Sequence, residues 1–438
     1  MDHDVDDVVD SDQVDSDRED SDREDSDRED SDSEDSDPED SDPEDSDQED
    51  NDQEDKEVDS PEEDQGIGSV EHCMVVVSMS ADAVVQLDEL QSSNVPSLPY
   101  PKFEQVFNAY DDSAVCPQRE EFNLTITGTL DCLNLNIYAP NKASPQNKVP
   151  VLALIYGGGF NVGFAGRFLY GPKFLVRHDI ILVTINYRLG PYGFMCLDTP
   201  EVPGNQGLKD QLLALRWVKN NIAAFGGDAD KITLMGTSAG SVSVELHLMS
   251  GQEKLYNQII TQSTSALSPL AEPFSDKAAP LKIADKLGYK TNNISDALEF
   301  LAKRDPKVII ATSIDLSLIF VTCVEKTFDG VESITTVHPL QADIKDVKNM
   351  KVLAGFNNKE QLVQSATRPA DTFRDLNVFK FLALGFDVDE NFQVMEDIVR
   401  RFYVGKRKEY YVITYVISIV LVSKSSQMYC FIDILPFY

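Results

Sequence analysis

The stretch KITLMGTSAG, Lys231 to Gly240, decides how this chain is read. Ile232, Thr233, Leu234 and Met235 form a short apolar run with β propensity. Gly236-Thr237-Ser238-Ala239-Gly240 then fits the pattern G-x-S-x-G, and Ser241 to Met249 reads as helix. That order is strand, sharp turn, helix. A serine at such a turn sits in a strained backbone conformation, and glycines on either side let strand and helix approach closely. Its hydroxyl is lifted clear of the sheet, at a helix N-terminus whose dipole favours developing negative charge. Ser238 is therefore a candidate nucleophile.

Working outward, the neighbouring segments alternate between strand and helix. Gly207 to Phe225 carries Leu208, Leu212, Leu215, Val218 and Ile222 at helical spacing, and Phe225-Gly226-Gly227-Asp228 supplies a glycine stop. Val149 to Tyr156 and Ile180 to Tyr187 are continuous apolar runs suited to strands covered on both faces, whereas Leu133 to Tyr138 alternates Leu, Asn, Leu, Asn, Ile, Tyr as a half-buried strand does. The alternation predicts an α/β fold: a mostly parallel sheet with helices on both faces. Gly157-Gly158-Gly159 leaves one of the buried strands. Successive glycines expose N–H groups that suit an anion, though a plain flexible turn reads the same way.

The formal net charge of −38 is concentrated at the N-terminus. Residues 1–65 hold 36 acidic and 4 basic side chains, leaving 40 and 34 in the other 373, so the remainder has ordinary globular composition. Ser16 to Asp55 repeats a pentapeptide, mostly S-D-x-E-D, eight times. Like charges at that density, with little apolar surface to offset ordering, predict a disordered tail. It serves as a solvating tail, as a series of acid-flanked phosphorylation sites, or as a weak binder of cations or basic proteins. No basic stripe is present to track phosphates, so nucleic acid is not an expected partner. The six cysteines, Cys73, Cys116, Cys132, Cys196, Cys323 and Cys430, form no metal-binding spacing, so neither metal nor cofactor is expected. The N-terminus MDHDVDDVVD has no cationic start and no apolar core, unlike a signal peptide.

Taken together these blocks resemble the type-B carboxylesterase and cholinesterase family, and most nearly the insect-type esterases. The matching pieces are DCLNLNIYAP (Asp131 to Pro140), IYGGGF (Ile155 to Phe160), INYRLGPYGF (Ile185 to Phe194), the run Gly204 to Gly240, and GFNNKE (Gly355 to Glu360). The resemblance implies an α/β-hydrolase fold. It assigns Ser238 as nucleophile, Gly158, Gly159 and Ala239 as oxyanion-hole donors, and Glu360 as the acid that orients a catalytic histidine. It also pairs Cys116 with Cys132. Asn123-Leu-Thr and Asn293-Ile-Ser are glycosylation sequons, meaningful in a secreted chain. Pair and sequons point to secretion while the N-terminus does not, leaving secreted and cytoplasmic readings both open.

Departures from the family pattern narrow the expectation. The family's histidine follows the acid, but His3, His72, His178, His247 and His338 all precede Glu360. His247 lies nine residues beyond Ser238 on one helix, about 13 Å along its axis, and is not expected to reach the hydroxyl. Losing the histidine of a comparable triad costs on the order of 10⁶ in turnover, so the chain as written is expected to be nearly inactive. The single tryptophan, Trp217, is not between the paired cysteines, and Thr237 replaces the family's usual glutamate, which argues against choline esters. Leu130 stands where the family has a structural glutamate.

The resulting layout is an acidic tail (1–65), an atypical segment (66–111), an α/β-hydrolase domain (112–405) incomplete at its C-terminus, and an apolar non-family tail (406–438). Tyr410 to Val422 is too short to span a bilayer, so membrane insertion is not expected. The expected function is hydrolysis of small-molecule apolar carboxylic esters through an acyl-enzyme on Ser238. A non-catalytic, neuroligin-like binding protein of the same fold is the alternative.

Overall fold

Apolar runs along the chain assemble into one seven-stranded sheet in the computed structural model. It describes residues 70–75, 113–357 apart from 122, 269, 270, 272, 345, 346, 348 and 349, and the pairs 416–419 and 430–433. In chain order the elements are strands Val70–Val75 (β1), Gln118–Arg119 (β2), Ile126–Thr127 (β3), Leu135–Pro140 (β4) and Val149–Ile155 (β5), then helix Arg167–Tyr170 (α1) and strand Ile181–Ile185 (β6). Helices Gly190–Phe194 (α2) and Gln206–Asn221 (α3), strand Gly227–Thr237 (β7), helix Ala239–Met249 (α4) and strand Gln258–Gln262 (β8) follow. Helices Ala279–Lys286 (α5), Ile294–Ala302 (α6) and Pro306–Asp315 (α7), then strands Lys351–Gly355 (β9), Val416–Ile419 (β10) and Cys430–Asp433 (β11), complete the described strands and α-helices.

The strand order in the large sheet is β1-β4-β6-β5-β7-β8-β9. β1, β4 and β6 run antiparallel to one another in turn, while β6, β5, β7, β8 and β9 are parallel. Because β6 lies on one side of β5 and β7 on the other, the connections leave β5 and β7 in opposite directions. A crevice opens beyond the carboxyl ends of strands at such a reversal. Ile155 pairs with Gly236, so the Gly157 turn and Ser238 emerge side by side there.

The alternation in Leu133 to Tyr138 predicts a half-buried strand, and here the structure differs. Asn134 and Asn136 are as buried as their apolar neighbours. Asn136 Nδ2 donates to the Ala165 carbonyl at 2.9 Å, and Asn186 Nδ2 donates to Asn134 Oδ1 at 2.7 Å. The polar positions are thus not solvent-facing; they tie β4 to the segments around β5 and β6. β1, which pairs antiparallel with β4, lies within the segment read as atypical.

A buried ion pair and two disulfides tie distant segments together. Arg188 forms a two-pronged pair with Asp210 on α3 (Nε–Oδ2 2.8 Å, Nη2–Oδ1 2.6 Å), and the Arg188 N–H also donates to Oδ2 at 3.1 Å. The structure contains the Cys116–Cys132 disulfide and a second, Cys196–Cys323, which closes a loop of 127 residues. Among the described residues no helix is long and apolar enough to cross a membrane.

Candidate active site

Ser238 sits between β7 and α4 at φ 53°, ψ −123°. For a residue bearing a Cβ this backbone is strained by ~1–3 kcal/mol. Its surroundings hold it there. The Ser238 N–H donates to the Gln262 carbonyl at 2.8 Å, and its own carbonyl accepts from Ser241 N at 2.8 Å and Val242 N at 3.1 Å as the first turn of α4 closes. The flanking glycines are required by contact: a Cβ on Gly240 would stand 2.1 Å from the Ile155 oxygen, and one on Gly236 2.1 Å from the Gly240 oxygen. Ser238 itself is exposed, at the mouth of the crevice.

The Gly157 turn faces it directly. A Cβ on Gly157 would lie 2.8 Å from the Ser238 Cβ. Carbonyl directions fix where the N–H groups of this turn point, because in a trans peptide the N–H lies opposite the preceding C=O. The Gly157 oxygen lies against Gly163, 2.7 Å from where a Cβ there would stand. The Gly158 oxygen accepts from Asn161 N and Val162 N, both at 3.1 Å. Both carbonyls turn into the loop, so the N–H groups of Gly158 and Gly159 turn out of it. Gly158 (φ 120°) and Gly159 (φ 59°) adopt backbones that favour glycine. Ala239, first residue of α4, has its N–H at the helix terminus where no intrahelical acceptor exists.

Several residues that sequence reasoning missed support this turn. Gln118, buried, donates through Nε2 to the Gly163 carbonyl at 2.8 Å and accepts from the Gly163 N–H at 2.7 Å. The Tyr170 hydroxyl has a backbone hydrogen bond to Gly157, and its ring stacks on Tyr156. The hydroxyl groups of the buried Tyr156 and Tyr187, which also stack on each other, are pushed well above their usual range by desolvation. They are therefore hydrogen-bonding groups and not acids. The position of Gln118 two residues after Cys116 is the one sequence cue that leads to it.

The remaining predicted site residues fall as follows. Glu360 lies outside the described residues. The chain runs toward it from Gly355, whose carbonyl accepts from Ser263 N at 2.9 Å beside the Gln262 carbonyl that holds Ser238. Asn123 and Asn293 are both exposed; Asn293 Oδ1 caps α6 by accepting from Ser295 N at 2.9 Å. His247 is buried, with Nε2 3.0 Å from Gln211 Oε1, and burial pushes its pKa down to about 4. His338 caps a short turn, its Nδ1 accepting from Leu340 N at 3.2 Å. His178 is exposed within the β5–β6 connection. Among the described residues, no cluster of three or more His, Cys, Asp or Glu is placed to hold a metal ion.

A profile of the carboxylesterase family matches residues 95–411. The chain belongs to the carboxylesterase family. The match is wider on both sides than the stretch that carries the quoted motifs. Esterase B1 of Culex pipiens is 45% identical over 190 residues, 42% of this chain and 35% of that protein. Juvenile hormone esterase of Tribolium castaneum is 43% identical over 171 residues, 38% of this chain and 29% of that protein. The matched region thus spans about a third of the length of these relatives. The crystal structure of juvenile hormone esterase from Manduca sexta, with OTFP covalently attached, superposes with a TM-score of 0.62 at 24% identity. It covers 73% of this chain and 64% of that one, and shows that this family member has the α/β-hydrolase fold.

Proposed function

We propose that this carboxylesterase-family chain carries the nucleophile and oxyanion hole of a serine ester hydrolase acting on apolar carboxylic esters. The observation that carries the reading is the strained, exposed Ser238, set against a glycine turn whose N–H groups point outward. Ser238 Oγ attacks the ester carbonyl. The oxygen, now negative, is received by the N–H groups of Gly158, Gly159 and Ala239, each such donor contributing ~3 kcal/mol in comparable sites. The alcohol leaves with a proton, and water then releases the acid from the acyl-serine.

Deprotonating Ser238 requires a base. Glu360 is assigned to orient one, yet none of the five histidines follows it in the 438 residues. His247 is engaged with Gln211 inside the fold and is held neutral by burial. Acylation by these residues alone is accordingly expected to be slow, and a base supplied from solution should accelerate it.

The test is labelling with an apolar fluorophosphonate at increasing imidazole concentration, read by mass spectrometry. An adduct on Ser238 whose rate rises with imidazole, absent in Ser238→Ala, is expected. No adduct at any imidazole concentration refutes the reading. That result would favour a non-catalytic binding protein of the same fold.

A further inference from the structure

We propose that Asn161 is the positioning residue of the oxyanion loop, holding the Gly159 N–H toward Ser238 from both sides; this rests on the esterase reading above. The backbone N–H of Asn161 donates to the Gly158 carbonyl at 3.1 Å, and its side-chain Nδ2 donates to the Gly159 carbonyl at 2.6 Å. The first bond sets the plane of the peptide that carries the Gly159 N–H. The second sets the plane of the peptide that follows. Between the two planes only the dihedrals of Gly159 itself remain, and these are what a glycine least restrains.

The Gly158 carbonyl is shared with the Val162 N–H, also at 3.1 Å, whereas the Gly159 carbonyl is held by the Asn161 side chain. A Cβ on Gly159 would meet nothing within 4 Å, so no packing on that side holds the residue. The next residue, Phe160, is buried at φ 64°, a backbone that is strained for a residue bearing a side chain and tends to relax unless held. Its carbonyl accepts from Gly190 N at 2.8 Å, so three consecutive carbonyls, those of residues 158, 159 and 160, are each tied down.

Asn161 is in turn anchored from outside the loop. The same Nδ2 donates to the Phe320 carbonyl at 3.1 Å, 159 residues further along the chain. That segment is itself pinned three residues later, by the Cys196–Cys323 disulfide and by Asn205. Asn205 accepts from the Cys323 N–H at 2.9 Å and donates to the Cys323 carbonyl at 2.8 Å. The amide of Asn161 therefore couples the glycine turn to a fixed strap.

Two variants separate positioning from mere packing: Asn161→Leu keeps the volume and loses the amide, and Asn161→Gln keeps the amide. Each is compared with the unaltered chain in imidazole-supported fluorophosphonate labelling, with the limiting rate and the half-saturating probe concentration fitted separately. Asn161→Leu is expected to lower the limiting rate by about 3- to 10-fold, the loss of one hydrogen bond, with half-saturation changed by less than about 2-fold. Asn161→Gln is expected to restore most of the rate. Amide exchange of residues 157–163 is measured on the same proteins and should speed up in Asn161→Leu alone. Unchanged labelling and unchanged exchange in Asn161→Leu, or a Gln variant as slow as the Leu variant, overturn the proposal. If the unaltered chain gives no adduct, the esterase reading falls, and the exchange measurement still decides whether Asn161 holds the loop.

Discussion

Replacing Glu245 by glutamine is expected to stabilise this chain above neutral pH and to change little in mild acid. Glu245 lies on α4, buried, and burial pushes its pKa up from its ordinary 4.5 to about 7, only partly offset by hydrogen bonds from Ser265 and Ala266. Both bonds end on one oxygen: Ser265 Oγ donates to Oε2 at 2.7 Å, and the Ala266 N–H donates to the same atom at 2.8 Å. Glutamine can present its carbonyl oxygen at that place, keeping both bonds and removing the charge. The folded pKa is raised, so between pH 4.5 and 7 the folded chain holds more protons than the unfolded one, and stability falls as pH rises through that window. The shift of about 2.5 pH units corresponds to about 3 kcal/mol, fully expressed above pH 7 and absent below pH 4.5. Urea unfolding of both proteins at about pH 8.5 and 4.5 is the assay, with unfolding slopes compared to confirm that only stability has changed. A gain approaching 3 kcal/mol at the higher pH and under about 0.5 at the lower is expected. An Glu245→Gln protein that is less stable at both, or shifted equally at both, refutes the reasoning, because the charge would then not be the source of the cost.

Three further outcomes follow from the same structure. His247 has the opposite linkage: its pKa is depressed from 6.5 to about 4, so stability is retained above pH 6.5 and lost as pH falls toward 4, by about 3 kcal/mol. His247→Leu should flatten that acid limb in urea titrations, whatever constant penalty the loss of the hydrogen bond to Gln211 Oε1 adds. Gly240→Ala should fail to give folded protein, or give one without the near-ultraviolet signature of a packed core, since the new Cβ would stand 2.1 Å from a strand carbonyl that has no room to move. Asp210→Asn should cost about 3–5 kcal/mol in thermal or urea unfolding, because it removes one charge of a buried, two-pronged ion pair with Arg188; a loss below about 1 kcal/mol would contradict the burial of the pair.

Much of the fold is legible along the chain because its central strands are covered on both faces. Val149–Ile155 and Ile181–Ile185 need no alternation to be recognised, and the helix Gln206–Asn221 shows its buried stripe at helical spacing. Misreading concentrates where polar residues are buried. Asn134 and Asn136 mimic a solvent-facing side, since local sequence cannot show that Ala165 and Asn186 arrive from elsewhere to satisfy them. The second disulfide was equally hidden: Cys196 and Cys323 carry no spacing signal, and only folding brings residues 127 apart to bonding distance.

The sequence by itself determined the strand–turn–helix at Ser238, the glycine turn after Val149–Ile155 and the family to which both belong, because each is a local pattern whose physics is complete within a few residues. The tertiary structure alone decided that these two turns stand side by side, that the glycine N–H groups point outward, and that Gln118, Tyr170 and Asn161 hold them so. Those facts depend on strand order, on register and on hydrogen bonds between residues far apart in the chain, and nothing short of the assembled sheet contains them.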